Sequence, residues 1–553
     1  VQPLKDFYYR SNFMSYRFIP FIILIVFLVL FPTALGKNTG YVDPNLYIGY
    51  ALDHKWLTSF GFEYHATRIP FIELISVLIS VFGYGYFGLS FKVVLILLLI
   101  YALNKLRKVL EMNGFAFFVL SFIICSSPMV VSIVSWTIPN GFASLLCLLL
   151  IIRALDQKDN FVDCTITGFL ITTCLLMNFY GGFLAAIAYF VISISYSKID
   201  TFHYFSKFIK VFGAMLFSGM IYELVWHFIY GIDGSLWIPH FKILLNNDEL
   251  SENYWGPVLN PLEQSVFTFA ILGVLIPVYF LKFRKSELTV TQLKALVGSL
   301  SLSLISILLY IFKLNISYTQ YFYQYFYLPI FILTLFVVFS RANSNLIFDV
   351  LMFLTLYCVF LILIKITSGT ILNVLSILMF YLVFFLLSHM LYKKKFKTNI
   401  NPIFIFVHLA SLTLFLNVPF MQGYVTTDNN LSQSLLKDEI QVFSNINELG
   451  SDLKPSATWY EPDEAGYRGA IISSLGFHIT RLEGRDKNNL YPDVTDWYMR
   501  KATIPENLVT ITSPNWVWNG MAGSEIKYRL EFSQLLPSQF VEYRIYSLIA
   551  GPK

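Results

Sequence analysis

IPFIELISVLISVFGYGYFG, residues 69–88, is the stretch on which the threading of this chain turns. It is one of fourteen apolar runs, at about 18–36, 69–88, 89–104, 115–135, 139–155, 163–177, 180–197, 208–230, 265–283, 294–313, 321–340, 346–366, 371–392 and 402–420. Runs of roughly this length are what a membrane-crossing helix requires. Within 69–88, Glu73, Ser76, Ser80 and Tyr84 recur at spacings of 3, 4 and 4, a polar stripe along one side of a helix. That pattern fits a helix lying in the membrane interface better than a span. The competing expectation is a spanning helix whose Glu73 turns into a bundle.

Charge sorts the two. Basic clusters stand at Lys5/Arg10/Arg17, Lys105/Arg107/Lys108, Arg153/Lys158, Lys198/Lys207/Lys210, Lys282/Arg284/Lys285/Lys294, Arg341 and Lys393/Lys394/Lys395/Lys397. Together they hold 20 of the 27 Lys and Arg residues before residue 421. If all fourteen runs cross, the first cluster falls opposite the other six. If 69–88 does not cross, all seven share one face, as cytoplasmic clusters do. The expected fold is therefore an α-helical polytopic membrane protein of about 13 transmembrane helices, with interfacial helices in the first outer loop. The expected location is the inner (plasma) membrane, with the N-terminus cytoplasmic and the C-terminal region outside. Phe18 to Gly36 is longer than a signal-peptide core and is read as a span that stays.

Composition supports this class. Of 553 residues, 56% are hydrophobic and 13% charged, against about a quarter charged in soluble domains. Disordered chains are poor in aromatics, and 18% aromatic residues exclude that class. The net charge of +5 splits into 27 basic against 18 acidic residues before 421 and 12 against 16 after it. It therefore reports topology and points to no nucleic-acid partner. Cys125, Cys147, Cys164, Cys174 and Cys358 all lie in apolar segments, so neither a disulfide framework nor a CxxC metal site is expected.

Two domains follow: a membrane domain over 1–420, and a small extracytoplasmic α/β domain over 421–553. The latter reads as helix near 432–449, strand at 457–460, helix at 463–474 and strand near 540–548. The outer face also carries the first loop, 37–88, and a second long loop, 231–264.

The first loop holds the informative residues, GYVDPNLYIGYALDHKW (40–56) and FEYHATRIP (62–70). A carboxylate just outside the first span is followed by a helical run, then by a basic residue and Pro before the interfacial helix. This order resembles the GT-C superfamily of membrane glycosyltransferases, nearest its lipid A aminoarabinose transferase and protein O-mannosyltransferase-like branch. The resemblance covers roughly residues 18–270 and rests on order and topology. Asp43-Pro44 looks like the family's catalytic acid, with Tyr47 matching a tyrosine four residues on. Arg68-Ile69-Pro70 looks like the element that meets the lipid phosphate. Asn140 stands where many members carry a second acid, and Met177-Asn178-Phe179 lacks the lysine often found there.

The resemblance implies transfer of a sugar from a polyprenyl-phosphate-linked donor to a cell-envelope glycan or lipid acceptor. Asp43 would take the acceptor's proton. Arg68, with Lys313, Lys365 and Lys242, would stabilise charge on the donor phosphate. Asp53, His54, Glu63, His65, Asn140, Glu223 and His240 are further candidates for substrate binding. Plainer readings stand beside these. Asp43 before Pro44 also makes a helix start, Arg68 an interfacial anchor, and Glu223 a structural hydrogen bond. Asp53, His54, Glu63 and His65 match no strong metal-ligand spacing. With no second carboxylate beside Asp43, no cofactor is expected; a divalent metal is the less favoured reading. Membrane lipids are the remaining partners. A flippase for lipid-linked saccharide, an O-antigen polymerase or ligase and an oligosaccharyltransferase are the alternatives.

The sidedness is directly testable. Alkaline phosphatase fused after Lys553, active only outside the cytoplasm, is expected to be active; an inactive, stably expressed fusion would remove the thirteen-span threading.

Overall fold

The computed structural model describes residue 22, most of residues 43–341, and four strands between 457 and 549. Within 43–341 the exceptions are 53, 55–62, 127–129, 131–132, 135–137, 157–159, 196–200, 246–264 and 312–327. The expected spans at 346–366, 371–392 and 402–420, nearly all of that at 18–36, and the expected helices at 432–449 and 463–474 lie outside the described residues.

The membrane part is helical. It runs α1 (Asp43–Leu52), the single turn α2 (Glu63–Ala66), α3 (Ile69–Phe82), α4 (Tyr84–Val109), α5 (Gly114–Ser126), α6 (Pro139–Asp156) and α7 (Phe161–Met177). There follow α8 (Phe179–Ile194), α9 (Thr201–Leu224) with a π-helical turn at Val225–Ile229, α10 (Ile238–Leu245), α11 (Ser265–Phe283), α12 (Val290–Ile311) and α13 (Leu328–Arg341). Among the described residues four helices are long and apolar enough to cross a membrane, at Tyr86–Val109, Pro139–Asp156, Phe205–Ile229 and Val290–Leu308. Several others are apolar but shorter.

Residues 69–88 do not form one helix. Gly83, at φ +79°, takes a conformation that side-chain-bearing residues rarely adopt, and its N–H bonds back to the Ile79 carbonyl at 2.8 Å. The helix stops there, and Tyr84 opens α4 rather than extending the polar stripe of α3. At 14 residues, α3 is about 21 Å long, short of the ~30 Å hydrocarbon core. Its Ile69, Phe71, Ile72, Ile75 and Leu78 are buried, whereas Val77, Val81 and Phe82 are exposed. The following span is accordingly longer than expected, starting five residues before 89.

The helix ends that carry basic residues meet. Gln292, at the start of α12, donates to the Leu110 carbonyl just beyond α4 at 3.2 Å and accepts from Arg341 Nε at 3.1 Å. Arg153 in the last turn of α6 reaches Asp163 Oδ1 at 2.6 Å and Thr167 Oγ1 at 3.0 Å in α7. The Lys207 ammonium lies 5.9 Å from the Tyr189 ring centre. Described members of five of the seven clusters thus stand at one end of the bundle.

Between helices some seams are close. Thr172 donates to the Met215 carbonyl at 3.1 Å, so α7 and α9 touch along their length. Gly168 makes that approach possible, as small residues do at helix seams in membranes. In the polar region, β1 (Ala457–Glu461), β2 (Leu508–Thr512), β3 (Arg529–Leu536) and β4 (Tyr543–Ile549) form a sheet in the order β1-β2-β4-β3. β1 and β2 run parallel, and β4 runs antiparallel to both β2 and β3. Strands were expected near β1 and β4; β2 and β3 were not anticipated.

A methyl group at Gly168 would stand 2.6 Å from Ala214 Cβ and 2.7 Å from the Met215 nitrogen. Gly168→Ala should therefore cost about 1–3 kcal/mol and lower the melting temperature in detergent. Gly213→Ala, with nothing within 4 Å of the added carbon, should leave it unchanged or raise it.

Candidate functional site

The site assembles at the other end of the bundle, around the start of α3. Pro70 lies in the first turn of α3, where its missing N–H would have had no helical partner. The Arg68 carbonyl accepts from the Phe71 and Ile72 amides at 3.0 and 3.1 Å. This fixes the arginine at the joint between α2 and α3. Its side chain is only 4% exposed, so it is built into the protein rather than standing out among head groups. Arg68 Nη1 donates to the Tyr47 hydroxyl, and the guanidinium carbon sits 5.4 Å from the Tyr47 ring centre.

Tyr47 comes from α1, which begins at Asp43. Its ring is fully buried, meets Phe71 edge-on at 5.3 Å, and has His65 at 6.0 Å. α1 therefore packs on α3 through the same tyrosine that holds the arginine. Asp43 lies one helical turn before Tyr47 in α1. The side chains of Asp43, Asp53, Glu63 and Lys242 lie outside the described set, as do Lys313 and Lys365 altogether.

Across from Arg68 stands His240 of α10, which packs against α2. Its Nε2 is 2.9 Å from Thr67 Oγ1, and the rings of Phe179 and Trp237 lie at 6.1 and 6.0 Å. Burial first, and then the Arg68 cation, push the imidazole down to about 3. His240 is thus neutral at physiological pH, and Arg68 supplies the positive charge.

A second cluster lies five residues along α3. Tyr230 donates to Glu73 Oε1, and His54 Nε2 is 3.2 Å from the same oxygen. The His54 and Tyr230 rings are 4.8 Å apart. Hydrogen bonding from His54 holds Glu73 below the ordinary carboxylate range, opposed by burial and assisted by Tyr230. Burial, with Glu73 alongside, pushes the Tyr230 phenol up. The first long loop, through His54, and the end of the 208–230 segment, through Tyr230, thereby meet α3 at one carboxylate. The sequence marks Glu73 only as part of a stripe. Tyr230 is missed, because its approach depends on the π-helical turn before it, a feature with no sequence signature here.

Two other expected candidates, Asn140 and Glu223, hold structural partners. Asn140 is buried at the start of α6 and accepts from Asn178 Nδ2 at 3.0 Å, while Asn178 Oδ1 caps α8 through the Gly181 amide at 2.9 Å. This amide pair fastens a helix seam. Glu223 accepts from the Leu236 amide at 3.2 Å on both oxygens and has His227 Nε2 at 3.4 Å. It anchors the loop that begins at residue 231 to α9. Among the described residues no group of three or more His, Cys, Asp or Glu is arranged to hold a metal.

Two solved structures share this overall architecture. The crystal structure of ArnT from Cupriavidus metallidurans in the apo state is similar, with a TM-score of 0.53 at 11% identity, covering 96% of this chain and 97% of that one. The structure of ArnT from the same organism bound to undecaprenyl phosphate gives 0.52 at 12% identity, covering 97% and 98%. No protein-family model and no curated protein matches the chain. The likeness at this identity is one of fold.

The neutral His240 has a consequence for stability. Below pH 6.5 the unfolded chain binds a proton that the folded site refuses down to about pH 3. Stability should then fall with acidification by up to about 1.4 kcal/mol per pH unit. Thermal unfolding between pH 7.5 and 5 should show a shallower pH slope in His240→Gln than in the parent. Equal slopes would remove His240 as the source.

Proposed function

We propose that this chain is a membrane glycosyltransferase that moves a sugar from a polyprenyl-phosphate-linked donor to a cell-envelope glycan or lipid acceptor on the outer face. The observation that carries the reading is the buried Arg68 guanidinium, hydrogen-bonded to Tyr47 one helical turn after Asp43. The fold likeness to ArnT, one structure of which holds undecaprenyl phosphate, supports a lipid-linked donor.

The chemistry follows from those groups. An acceptor oxygen or nitrogen attacks the anomeric carbon, and its proton passes to the Asp43 carboxylate. The bond from that carbon to the phosphate oxygen breaks, and the electron pair leaves on the polyprenyl phosphate. Arg68 faces the charge that develops there, in a setting where burial strengthens the interaction. Tyr47 positions the guanidinium, and neutral His240 adds no competing cation. Lys313 and Lys365 are further cations for the phosphate. In this reading α3 lies in the membrane interface, the reaction needs no metal, and residues 421–553 form an extracytoplasmic α/β domain.

With a labelled polyprenyl-phosphate sugar and an envelope-lipid acceptor, purified protein should catalyse transfer that persists in EDTA. Asp43→Asn should reduce it by about 10²–10⁴-fold, and Arg68→Ala by about 10²–10³-fold. Transfer that survives Asp43→Asn removes Asp43 as the base. No transfer with any donor, alongside movement of lipid-linked saccharide across vesicles, favours a flippase.

A further inference from the structure

A cavity of about 350 Å³ opens at the basic end of the bundle, where α4, α6, α7 and α8 come together, far along the helices from Arg68. Its volume is at the low end of the ~300–1,000 Å³ range of small-molecule pockets. Thr167 and Tyr189 are buried in its floor. The Arg153–Asp163 ion pair, at 2.6 Å, is partly buried and forms a wall. Lys105, half-buried, and Asp156, exposed, complete the charged lining.

Depth and surroundings identify the ligand class. Lys105 lies four residues from the end of α4, and Asp156 is the last residue of α6. Both are within about 6 Å of helix ends, the level of lipid head groups. Tyr101 and Ile166 flank the lining at 54% and 42% exposure, and Leu97 and Phe169 continue the exposed apolar surface one turn deeper on the same two helices. A soluble anion has no use for such a track, whereas acyl chains do. Arg153 offsets Asp163, but a purely anionic head group would still meet Asp156, and like charges at close range are costly. Basic pockets between helices on the cytoplasmic side are known to suit anionic lipids, but this one carries both signs.

We propose that the cavity binds the head group of a zwitterionic aminophospholipid. Lys105 takes the phosphate, Asp156 takes the primary ammonium through charge-assisted hydrogen bonds, and the chains run along Leu97, Tyr101, Ile166 and Phe169. Lys207, against the far face of the chamber at Tyr189, adds positive potential on the phosphate side. The bound lipid bridges α4, α6 and α7, so it stabilises the bundle at the end remote from Arg68.

Native mass spectrometry of the full chain in an equimolar mixture of phosphatidylethanolamine, phosphatidylcholine and phosphatidylglycerol tests this. Phosphatidylethanolamine should be retained several-fold over the other two, because choline offers no N–H and glycerol no cation to Asp156. Asp156→Asn should reduce its retention to the phosphatidylcholine level. Ile166→Trp, which blocks the mouth and leaves every charged group in place, should abolish the preference without loss of folding. Equal retention of phosphatidylethanolamine and phosphatidylcholine, preferential retention of phosphatidylglycerol, or a preference unchanged in both variants would overturn the proposal.

Discussion

In hydrocarbon, a backbone amide or carbonyl left without a partner costs several kcal/mol, because no water is there to replace it. Everything in the membrane part of this protein follows from that constraint. The chain satisfies its backbone within helices, and its polar side chains turn inward to other helices. Thr172 reaches the Met215 carbonyl, Thr173 pairs with Tyr222, Ser299 with Thr334, and Asn140 with Asn178. Some irregular backbone is surrounded by protein. The Arg68 joint between α2 and α3 is one case, with its carbonyl shared by two amides and its side chain held under Tyr47.

Charge is divided between the two ends of the bundle, and the division has different work at each. At the basic end, lysines and arginines close helix termini, as Arg341 and Gln292 do at the end of α4. At the other end a cation, Arg68, is placed deep beside a histidine that stays neutral because of burial and because of that same cation. A carboxylate five residues on, Glu73, is instead held ionised by His54 and Tyr230. Two opposite electrostatic environments thus sit within one and a half turns of α3. The first buries a cation beside a neutral imidazole; the second fastens His54 and Tyr230 to α3.

Much of the membrane part was legible in order along the chain. The runs at 139–155, 163–177 and 265–283 correspond to α6, α7 and α11 within two residues, because continuous hydrophobicity is what the bilayer selects. The position of Arg68 before Ile69-Pro70 marked a helix start, and the helix starts there. Less legible were the ends. The break at Gly83 and the π-helical turn after α9 hang on single backbone conformations, which apolar periodicity does not encode. Among the strands, β2 and β3 depend on pairing with segments distant in sequence, and that pairing decides a strand more than its own residues do.

By itself the sequence determined that this is a helical membrane protein, and it placed Tyr47 and Arg68 close together in one segment ahead of α3. Those properties depend on composition and spacing along one chain. Only the tertiary structure decided that Arg68 is buried under Tyr47, that His240 from a loop more than 170 residues away closes on Thr67, and that Glu73 receives Tyr230 rather than turning into the bundle alone. It also paired Asn140 with Asn178 and Glu223 with the Leu236 amide, partners that spacing along the chain does not name. The physical reason is that burial and partner choice are properties of packed surfaces, and they set what a side chain can do more strongly than its place in the sequence.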